Sequence, residues 1–319
     1  MKKTSRKILL NAEPFGFGPA AAIATFFPYL RNDYETLAYM GTRHTLDLQR
    51  SLAYDAVYDS ADYEPTELDL IIKKYDVFIT ALDFEMAARA QSLGLQVIIY
   101  DPLTWFWKDI HPVITGCDMY IAQNFIGVTD RIKNERNKFS KNTIVVPPIV
   151  SVQEPAKNKD VVLLNMGGLQ NPHWKLDDVE DYARQNIKTV QALLGSLDKV
   201  VIATSSAVAE RLSEFNVKSY ARDEMEELLK RTKLAFMTPG LGNIYDTASY
   251  DIPTVWLPPA NESQKEQLEL MKQKGLVSAS ISDENSLEGN LPTICGTKTL
   301  LDEFGSDGGV AVYKAIKSL

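Results

Sequence analysis

Two successive runs of strand–helix alternation, separated by a polar stretch without hydrophobic period, predict an α/β protein of two Rossmann-like domains. Their parallel sheets are expected to face each other across a cleft. A length of 319 residues accommodates two domains of ordinary size. In both halves, Gly-rich turns directly follow short apolar runs, where such sheets place their ligands.

The first half reads in order. Lys7–Ala12 is a strand, residues 13–19 (Glu-Pro-Phe-Gly-Phe-Gly-Pro) a turn, and Ala20–Leu30 a helix. Tyr34–Met40 is a strand, Leu46–Leu52 a helix, Ala56–Tyr58 a short strand and Thr66–Tyr75 a helix with apolar residues at helical spacing. Val77–Leu82 is a strand, Phe84–Leu93 a helix, and Gln96–Tyr100, Met119–Ala122 and Thr143–Pro147 are strands. Residues 150–160 are polar and aperiodic and read as the linker. The alternation restarts with the strand Val161–Asn165, the helix Leu176–Leu194, the strand Lys199–Ala203, the helix Ala207–Glu214 and the strand Val217–Tyr220. The helix Asp223–Lys230 opens on acidic residues, as the helix dipole favours. Leu234–Met237 is a strand, Asn243–Tyr250 a helix, Thr254–Leu257 a strand, and helices start at Gln264 and Gly309. The expected domains are 1–149, then the 150–160 linker, then 161–305, with 306–319 packing back on the first domain.

Hydrophobic residues at 45% and charged residues at 24% are the composition of a globular protein in water. A net charge of −8 argues against a general nucleic-acid binder or an anionic-membrane anchor. Cys117 and Cys295 are far apart and read as reduced thiols of a cytoplasmic protein. The three histidines form no metal-ligand spacing, so no metal site is expected. The basic start is followed by only Ile8-Leu9-Leu10 before Glu13 and Pro14, so neither a signal peptide nor a transmembrane helix is expected. Nothing in the sequence sets an oligomeric state.

Residues 233–267 carry the densest functional pattern. The strand ending at Met237 runs into Thr238-Pro239-Gly240-Leu241-Gly242-Asn243. Proline sets one φ, the glycines permit positive φ, and neither adds bulk near a ligand. The first turn of the helix that follows offers free N–H groups and partial positive charge, which suits a phosphate. Asp246, about one turn further, is placed to accept hydrogen bonds from ribose hydroxyls. The same pattern is equally that of an ordinary strand–turn–helix in an α/β protein.

Four pieces of the second half, about 110 residues in all, resemble the nucleotide-sugar-binding domain of GT-B glycosyltransferases. They are most similar to the MurG-like enzymes that transfer N-acetylglucosamine onto lipid-linked precursors. Residues 162–170 resemble the family's strand ending in G-G-S-Q-G. Gly167, Gly168 and Gln170 match, and Asn171 replaces the last glycine. Residues 220–225, with Ala221 and Arg222, resemble the loop that receives the base through backbone groups. In residues 238–246, Gly240 matches the turn glycine at the diphosphate, Asn243 falls at the family's Thr and Asp246 at the Glu that holds the ribose. Residues 251–267 resemble the family's G-x-P-x-x-x-x-P and its Gln-bearing sugar-contact segment, represented by Gln264 and Gln267. The first half has a Gly-rich loop after its first strand but lacks the family's G-G-H signature, which leaves the acceptor class open.

The resemblance implies an inverting, metal-independent transferase without a cofactor, its donor a nucleotide-diphosphate sugar, expected to be a UDP-sugar; a small soluble acceptor is preferred because few basic residues flank the apolar helix near the start. Thr238, Gly240, Leu241, Gly242 and Asn243 would meet the diphosphate, with Arg222 a nearby charge. The acceptor hydroxyl or amine needs a base. Glu13, Asp83, Asp101 and His111 are the candidates, with Glu13 and Asp101 preferred. Phe15, Gly16, Phe17 and Gly18 would line the acceptor, with Trp105 and Trp107 as an aromatic platform. Each residue also has a plainer reading: turn glycines, surface Asp246, Gln264 and Gln267, core tryptophans, structural histidines. A nucleotide-sugar epimerase, a hydrolase, or a binding protein that has lost its base stays open on the same fold. The apolar helix Ala20–Leu30 is expected to pack on the first sheet, membrane contact being the less favoured alternative because few basic residues flank it.

Overall fold

The computed structural model describes residues 4–154, 156–169, 174–282 and 284–319. They form two compact units, Met1–Ile149 with Phe304–Leu319 and Val150–Glu303. Unit 1 runs β1 (Thr4–Ala12), α1 (Gly18–Asp33), β2 (Tyr34–Gly41), α2 (His44–Gln49), β3 (Ala56–Asp59), α3 (Pro65–Ile72), β4 (Val77–Ala81), α4 (Phe84–Ser92), β5 (Gln96–Asp101), α5 (Pro112–Gly116), β6 (Met119–Gln123), α6 (Val128–Asn134) and β7 (Thr143–Val146). Its seven strands lie in the order β3-β2-β1-β4-β5-β6-β7 and all pairs are parallel. Every residue of β4 and β6 is buried, as in a sheet covered on both faces. The order reverses between β1 and β4: β1 leads outward to β2 and β3, and the chain then crosses back to β4.

Unit 2 runs β8 (Val161–Asn165), α7 (Leu176–Leu194), β9 (Val200–Ala203), α8 (Ser206–Arg211), α9 (Arg222–Arg231), β10 (Thr232–Met237), α10 (Leu241–Ser249), β11 (Thr254–Trp256), α11 (Glu262–Gln273), β12 (Ala279–Ile281), β13 (Leu287–Gly289) and α12 (Thr299–Phe304). The sheet order is β13-β12-β11-β10-β8-β9, parallel except for the β12–β13 pair. Here the order reverses between β8 and β10. On α7, Val179, Ala183, Ile187 and Val190 fall on one face and are buried. The helix ends at Gly195, whose φ of 78° is the left-handed cap that glycine adopts freely.

Residues 217–220 do not form the expected strand. Only Lys218 makes a bridge, to Ala203, because Val217 is the one residue of the four that enters the core. The three-residue strands β12 and β13 and the short helices α5 and α6 are too brief to show a period and were not anticipated.

The chain returns to unit 1 through α13 (Gly308–Lys317). Its Val312, Ala315 and Ile316 join a core to which α1 contributes Ile23, Phe26, Phe27 and Leu30. The outer face of α1 meets α13 through a Tyr29–Tyr313 stack at 5.8 Å, and Tyr313 and Lys317 both reach Asp33. The apolar helix of the sequence is thus packed between the first sheet and α13. No helix among the described residues is long and apolar enough to cross a membrane.

At the start of α13 the backbones touch. A Cβ on Gly308 would lie 2.1 Å from the Pro147 carbonyl oxygen and 2.7 Å from that of Pro148. Gly308→Ala is expected to cost about 1–3 kcal/mol, because main chain must move. Gly18→Ala, where nothing lies within 4 Å, should stay within about 0.5 kcal/mol. Denaturant melts of both variants check this; equal midpoints would mean that the α13 junction is soft.

Candidate functional site

Ligands of open parallel sheets sit at the carboxyl ends of the strands, where the strand order reverses. In unit 2 that point lies between β8 and β10, and the expected donor residues follow those two strands. Asn165 ends β8 and is 8% exposed. Its Oδ1 accepts from Gly167 N–H at 2.9 Å, and its Nδ2 donates to Asn243 Oδ1 at 3.2 Å. Asn243 Nδ2 donates in turn to the Thr238 carbonyl at 2.9 Å and lies 3.0 Å from its hydroxyl. The turns after β8 and β10 are thereby one hydrogen-bonded unit.

Gly167 has φ +68°, a conformation that asks for glycine, and a Cβ there would only touch Thr238 Oγ1 at 3.4 Å. The carbonyl of Gly167 accepts from Thr204 Oγ1 at 2.9 Å. Gly240 and Gly242 differ from expectation, for neither uses positive φ. Gly240 is the N-cap of α10 at φ −74°, and Gly242 lies in its first turn. What they supply is space, since no atom lies within 4 Å of a Cβ on Gly242. Without a capping side chain, the N–H groups of Leu241, Gly242 and Asn243 at this helix start face outward unclaimed by the helix. Gln264 is fixed beside them: its Oε1 accepts from Ala260 N–H at 2.8 Å, and its Nε2 would lie 3.5 Å from a Gly240 Cβ.

Three expected donor contacts need correction. The Asn243 side chain is spent on Asn165 and Thr238, which leaves only its backbone N–H at the helix start. Both backbone groups of Ala221 are used at the start of α9: N–H donates to Glu224 Oε2 at 2.9 Å, and the carbonyl accepts from Met225 at 2.9 Å. Gln267 is 1% exposed on the inner face of α11 beside Leu268 and Met271, and its Oε1 has no partner among the described residues. Gln170 and Asn171 lie outside the described residues. Gly168 is half-buried in the turn after β8.

Asp246 lies in the second turn of α10 with a 14% exposed side chain. Burial raises its carboxyl pKa, and Arg222, with Nη2 at 3.5 Å, pulls it back down. Arg222 is itself held by Glu226 at 2.7 Å. A single carboxylate, nearly buried and facing an arginine, therefore stands one turn beyond the free helix end.

In unit 1 the order reverses between β1 and β4, and the loops there carry Glu13 and Asp83. Asn11 sits opposite Thr80 in the ladder and is 3% exposed. It accepts from Thr80 Oγ1 at 2.7 Å and donates to the Met40 carbonyl at 3.1 Å. Glu13 N–H continues the ladder to the Ala81 carbonyl at 2.9 Å. The Glu13 carboxyl is half-buried; desolvation and then the neighbouring Asp83 raise its pKa to about 7. The Phe15–Gly18 loop is pinned by His44, whose Nε2 lies 2.7 Å from the Gly16 carbonyl and whose ring meets Phe17 edge-on at 5.0 Å. Gly16 takes φ +65°. Asn11 and Thr80 neighbour this loop and were passed over in the sequence, although a polar residue at the end of a run such as Ile8-Leu9-Leu10 is itself a signal; His44, read there as structural, does pin the loop.

Asp101 does not stand where a base could act. It is fully buried, and three donors occupy its carboxylate: Leu103 N–H at 2.6 Å, Trp107 Nε1 at 2.8 Å and Tyr120 OH at 2.6 Å. Burial raises its pKa to about 6 against these bonds. Its task is to hold the aromatic loop. His111 caps α5, accepting from Val113 N–H at 3.3 Å, stacks on Phe84 at 5.6 Å and lies 3.5 Å from Glu85. The half-buried Trp105 and Trp107 rings pack edge-on against Phe106, and their N–H groups are taken by Pro102 and Asp101. They stand between the core and platform readings, presenting apolar ring surface only. No group of three or more His, Cys, Asp or Glu is arranged to hold a metal ion among the described residues.

No protein-family model matches the chain, and no curated protein is similar to it by sequence. Solved structures are similar in fold. MurG of Acinetobacter baumannii superposes with a TM-score of 0.61 at 12% identity, over 98% of this chain and 100% of that one. A UDP-glucosyltransferase from Polygonum tinctorium that glucosylates indoxyl gives 0.54 at 12% identity, over 99% and 94%. A UDP-glucose: anthocyanidin 3-O-glucosyltransferase in complex with UDP gives 0.53 at 12% identity, over 99% and 94%. The chain therefore has the GT-B fold of these glycosyltransferases, two α/β units each built on a mostly parallel sheet.

Proposed function

We propose that the chain is a glycosyltransferase. Unit 2 takes a nucleotide-diphosphate sugar, and Glu13 of unit 1 deprotonates a small acceptor. One observation carries the reading: the uncapped start of α10 lies against the left-handed Gly167 turn at the strand-order reversal of the second sheet. A diphosphate there meets outward N–H groups and the positive end of the helix dipole. Asp246 receives the ribose, and Gln264 offers an amide near the diphosphate or sugar. The fold neighbours named for UDP-sugars, one holding UDP, favour uridine as the base.

The reaction follows. The acceptor hydroxyl gives its proton to a general base as its oxygen bonds to the anomeric carbon. The bond from that carbon to the diphosphate breaks, and the charge left on the diphosphate is met by the α10 N–H groups. Attack opposite the leaving group inverts the anomeric centre. Inversion and independence of metal and of cofactor follow the MurG-like resemblance; a soluble acceptor, preferred because few basic residues flank α1, and a cytoplasmic place, read from the thiols, also belong to this proposal.

Calorimetry with UDP-, GDP-, dTDP- and CDP-sugars tests the donor site. Binding of one class is expected, and no binding of any at millimolar concentration would remove the reading. Asp246→Asn turns an acceptor into a donor facing a ribose hydroxyl. Charge-assisted hydrogen bonds are worth about 1.5–3 kcal/mol, so donor affinity should fall about ten- to a hundredfold. The melt should hold, because Asn keeps the volume and Arg222 keeps Glu226. Unchanged affinity with an intact melt would take the ribose away from Asp246.

The base predicts a pH profile. Transfer needs the Glu13 carboxylate, so the rate should rise with pH through about 7 and be lost in Glu13→Gln. Stability runs the other way. The folded chain holds the Glu13 proton more tightly than the unfolded chain, so this group's contribution is fully present below the unfolded value and is lost as pH rises to about 7. Glu13→Gln should therefore melt higher than wild type at pH 8 and not at pH 4. A variant no more stable than wild type at pH 8 would contradict the buried carboxylate.

A further inference from the structure

The polar stretch 150–160 belongs to unit 2 and is stitched to the far ends of α9 and α10, the two helices whose starts carry Arg222 and the proposed diphosphate contacts. A helix leaves its last carbonyls without partners of its own, so these are served from outside. At the end of α10, Gln153 N–H donates to the Ser249 carbonyl at 3.1 Å, and Ser249 Oγ donates to the Ser151 carbonyl. Lys159 Nζ donates to the Tyr250 carbonyl at 3.2 Å and to the Asp251 carbonyl at 2.6 Å. At the end of α9, Ala156 N–H donates to the Lys230 carbonyl at 3.2 Å, and Asp160 N–H to the Arg231 carbonyl at 3.0 Å. The Asp160 carboxylate also accepts from the Arg231 guanidinium at 2.7 and 3.0 Å.

Lys159 fastens a strained cap. Asp251 follows α10 at φ +53°, a left-handed position usually given to glycine, and Ile252 N–H closes the cap on the Thr247 carbonyl at 3.0 Å. A non-glycine residue persists there when its surroundings hold it. Lys159 holds the Asp251 carbonyl, and Lys298 holds its carboxylate at 2.8 Å. The grip is close to the site. Tyr250 N–H donates to the Asp246 carbonyl at 3.0 Å, so one helical turn separates Asp246 from a carbonyl that Lys159 takes. All nine residues of α10 span only about 14 Å. An ammonium at the negative end of this helix and an anion at its positive end suit the same dipole.

We propose that Lys159 is a positioning residue for the donor site: by fastening the end of α10 to the linker, it sets where the N–H groups of the helix start and the Asp246 carboxylate stand. Coupling between two places is equal in both directions, so a ligand at the start of α10 tightens the linker on the helix ends. The effect on donor binding rests on the reading of unit 2 as the donor site, whereas the fastening of the helix start does not.

Amide hydrogen exchange and calorimetry on the full chain test this with two variants. Lys159→Met keeps most of the stem and loses the donors; Lys159→Arg keeps donors and charge. Without ligand, Ile244 N–H, which donates to the Gly240 carbonyl at the start of α10, should exchange faster in Lys159→Met and return to the wild-type rate in Lys159→Arg. A folded Lys159→Met in which Ile244 exchanges as in wild type overturns the proposal. With UDP as the probe, affinity should fall about fivefold in Lys159→Met and recover in Lys159→Arg. In transfer, the donor KM should rise while the acceptor KM holds. Faster Ile244 exchange with unchanged UDP affinity removes the positioning role. Wild type decides if Lys159→Met does not fold: saturating UDP should slow exchange of the Gln153, Ala156 and Asp160 N–H groups by about the same factor. Linker amides unmoved beside bound UDP also overturn the coupling. UDP that does not bind wild type at millimolar concentration strikes the uridine donor instead, and Ile244 exchange then decides the fastening alone.

Discussion

Each unit carries a buried asparagine at or next to the end of its first strand, and the two turns that follow depend on that constraint. An amide at the end of an apolar strand costs free energy unless every polar atom finds a partner. Asn11 finds them on β2 and β4, Asn165 on the turns after β8 and β10. Both lie where the strand order reverses, so each joins segments that lie side by side but are distant in sequence: Asn11 the ends of β2 and β4, Asn165 the turn after β8 and the start of α10. Satisfying the amide and aligning the loops are one event. The short runs Ile8-Leu9-Leu10-Asn11 and Val162-Leu163-Leu164-Asn165 show the device twice in one chain.

The carboxylates of unit 1 divide by how many donors they own. Asp101 has three and no exposure, and it organises the Trp105–Trp107 loop. Asp83 has a helix end, where Met86 N–H donates to it. Glu13 is half-buried, with a like charge as neighbour, and burial together with that charge makes it hold its proton. Chemical availability follows from hydrogen-bond poverty, and a residue type placed after a strand does not reveal it.

That distinction marks what was legible in the sequence. The alternation of elements, the α7 face and the turn after β10 follow from periods and from Gly and Pro, which act within a few residues. The placement of Gly167, Gly240 and Asp246 around one helix start follows as well. Asp101 was misjudged because its partners, Trp107 and Tyr120, come from a loop and from the next strand. Gln267 was placed at the sugar by resemblance, with a surface position as the plainer alternative, whereas it is buried beside Leu268 and Met271. Of the two parts expected of Gly240 and Gly242, positive φ and absence of bulk, only the second is used, a difference that only coordinates in space express.

The path of the chain has a consequence for its synthesis. Unit 2 is a continuous segment, whereas unit 1 is completed by residues 304–319, with Val312, Ala315 and Ile316 closing the core over α1. Domains fold largely as units while the chain emerges. The first 149 residues therefore wait, with the outer face of α1 bare, until the last helix has left the ribosome. The second unit has all its strands well before that. The half made first is finished last, and its apolar helix is the surface that a chaperone would meet in the interval.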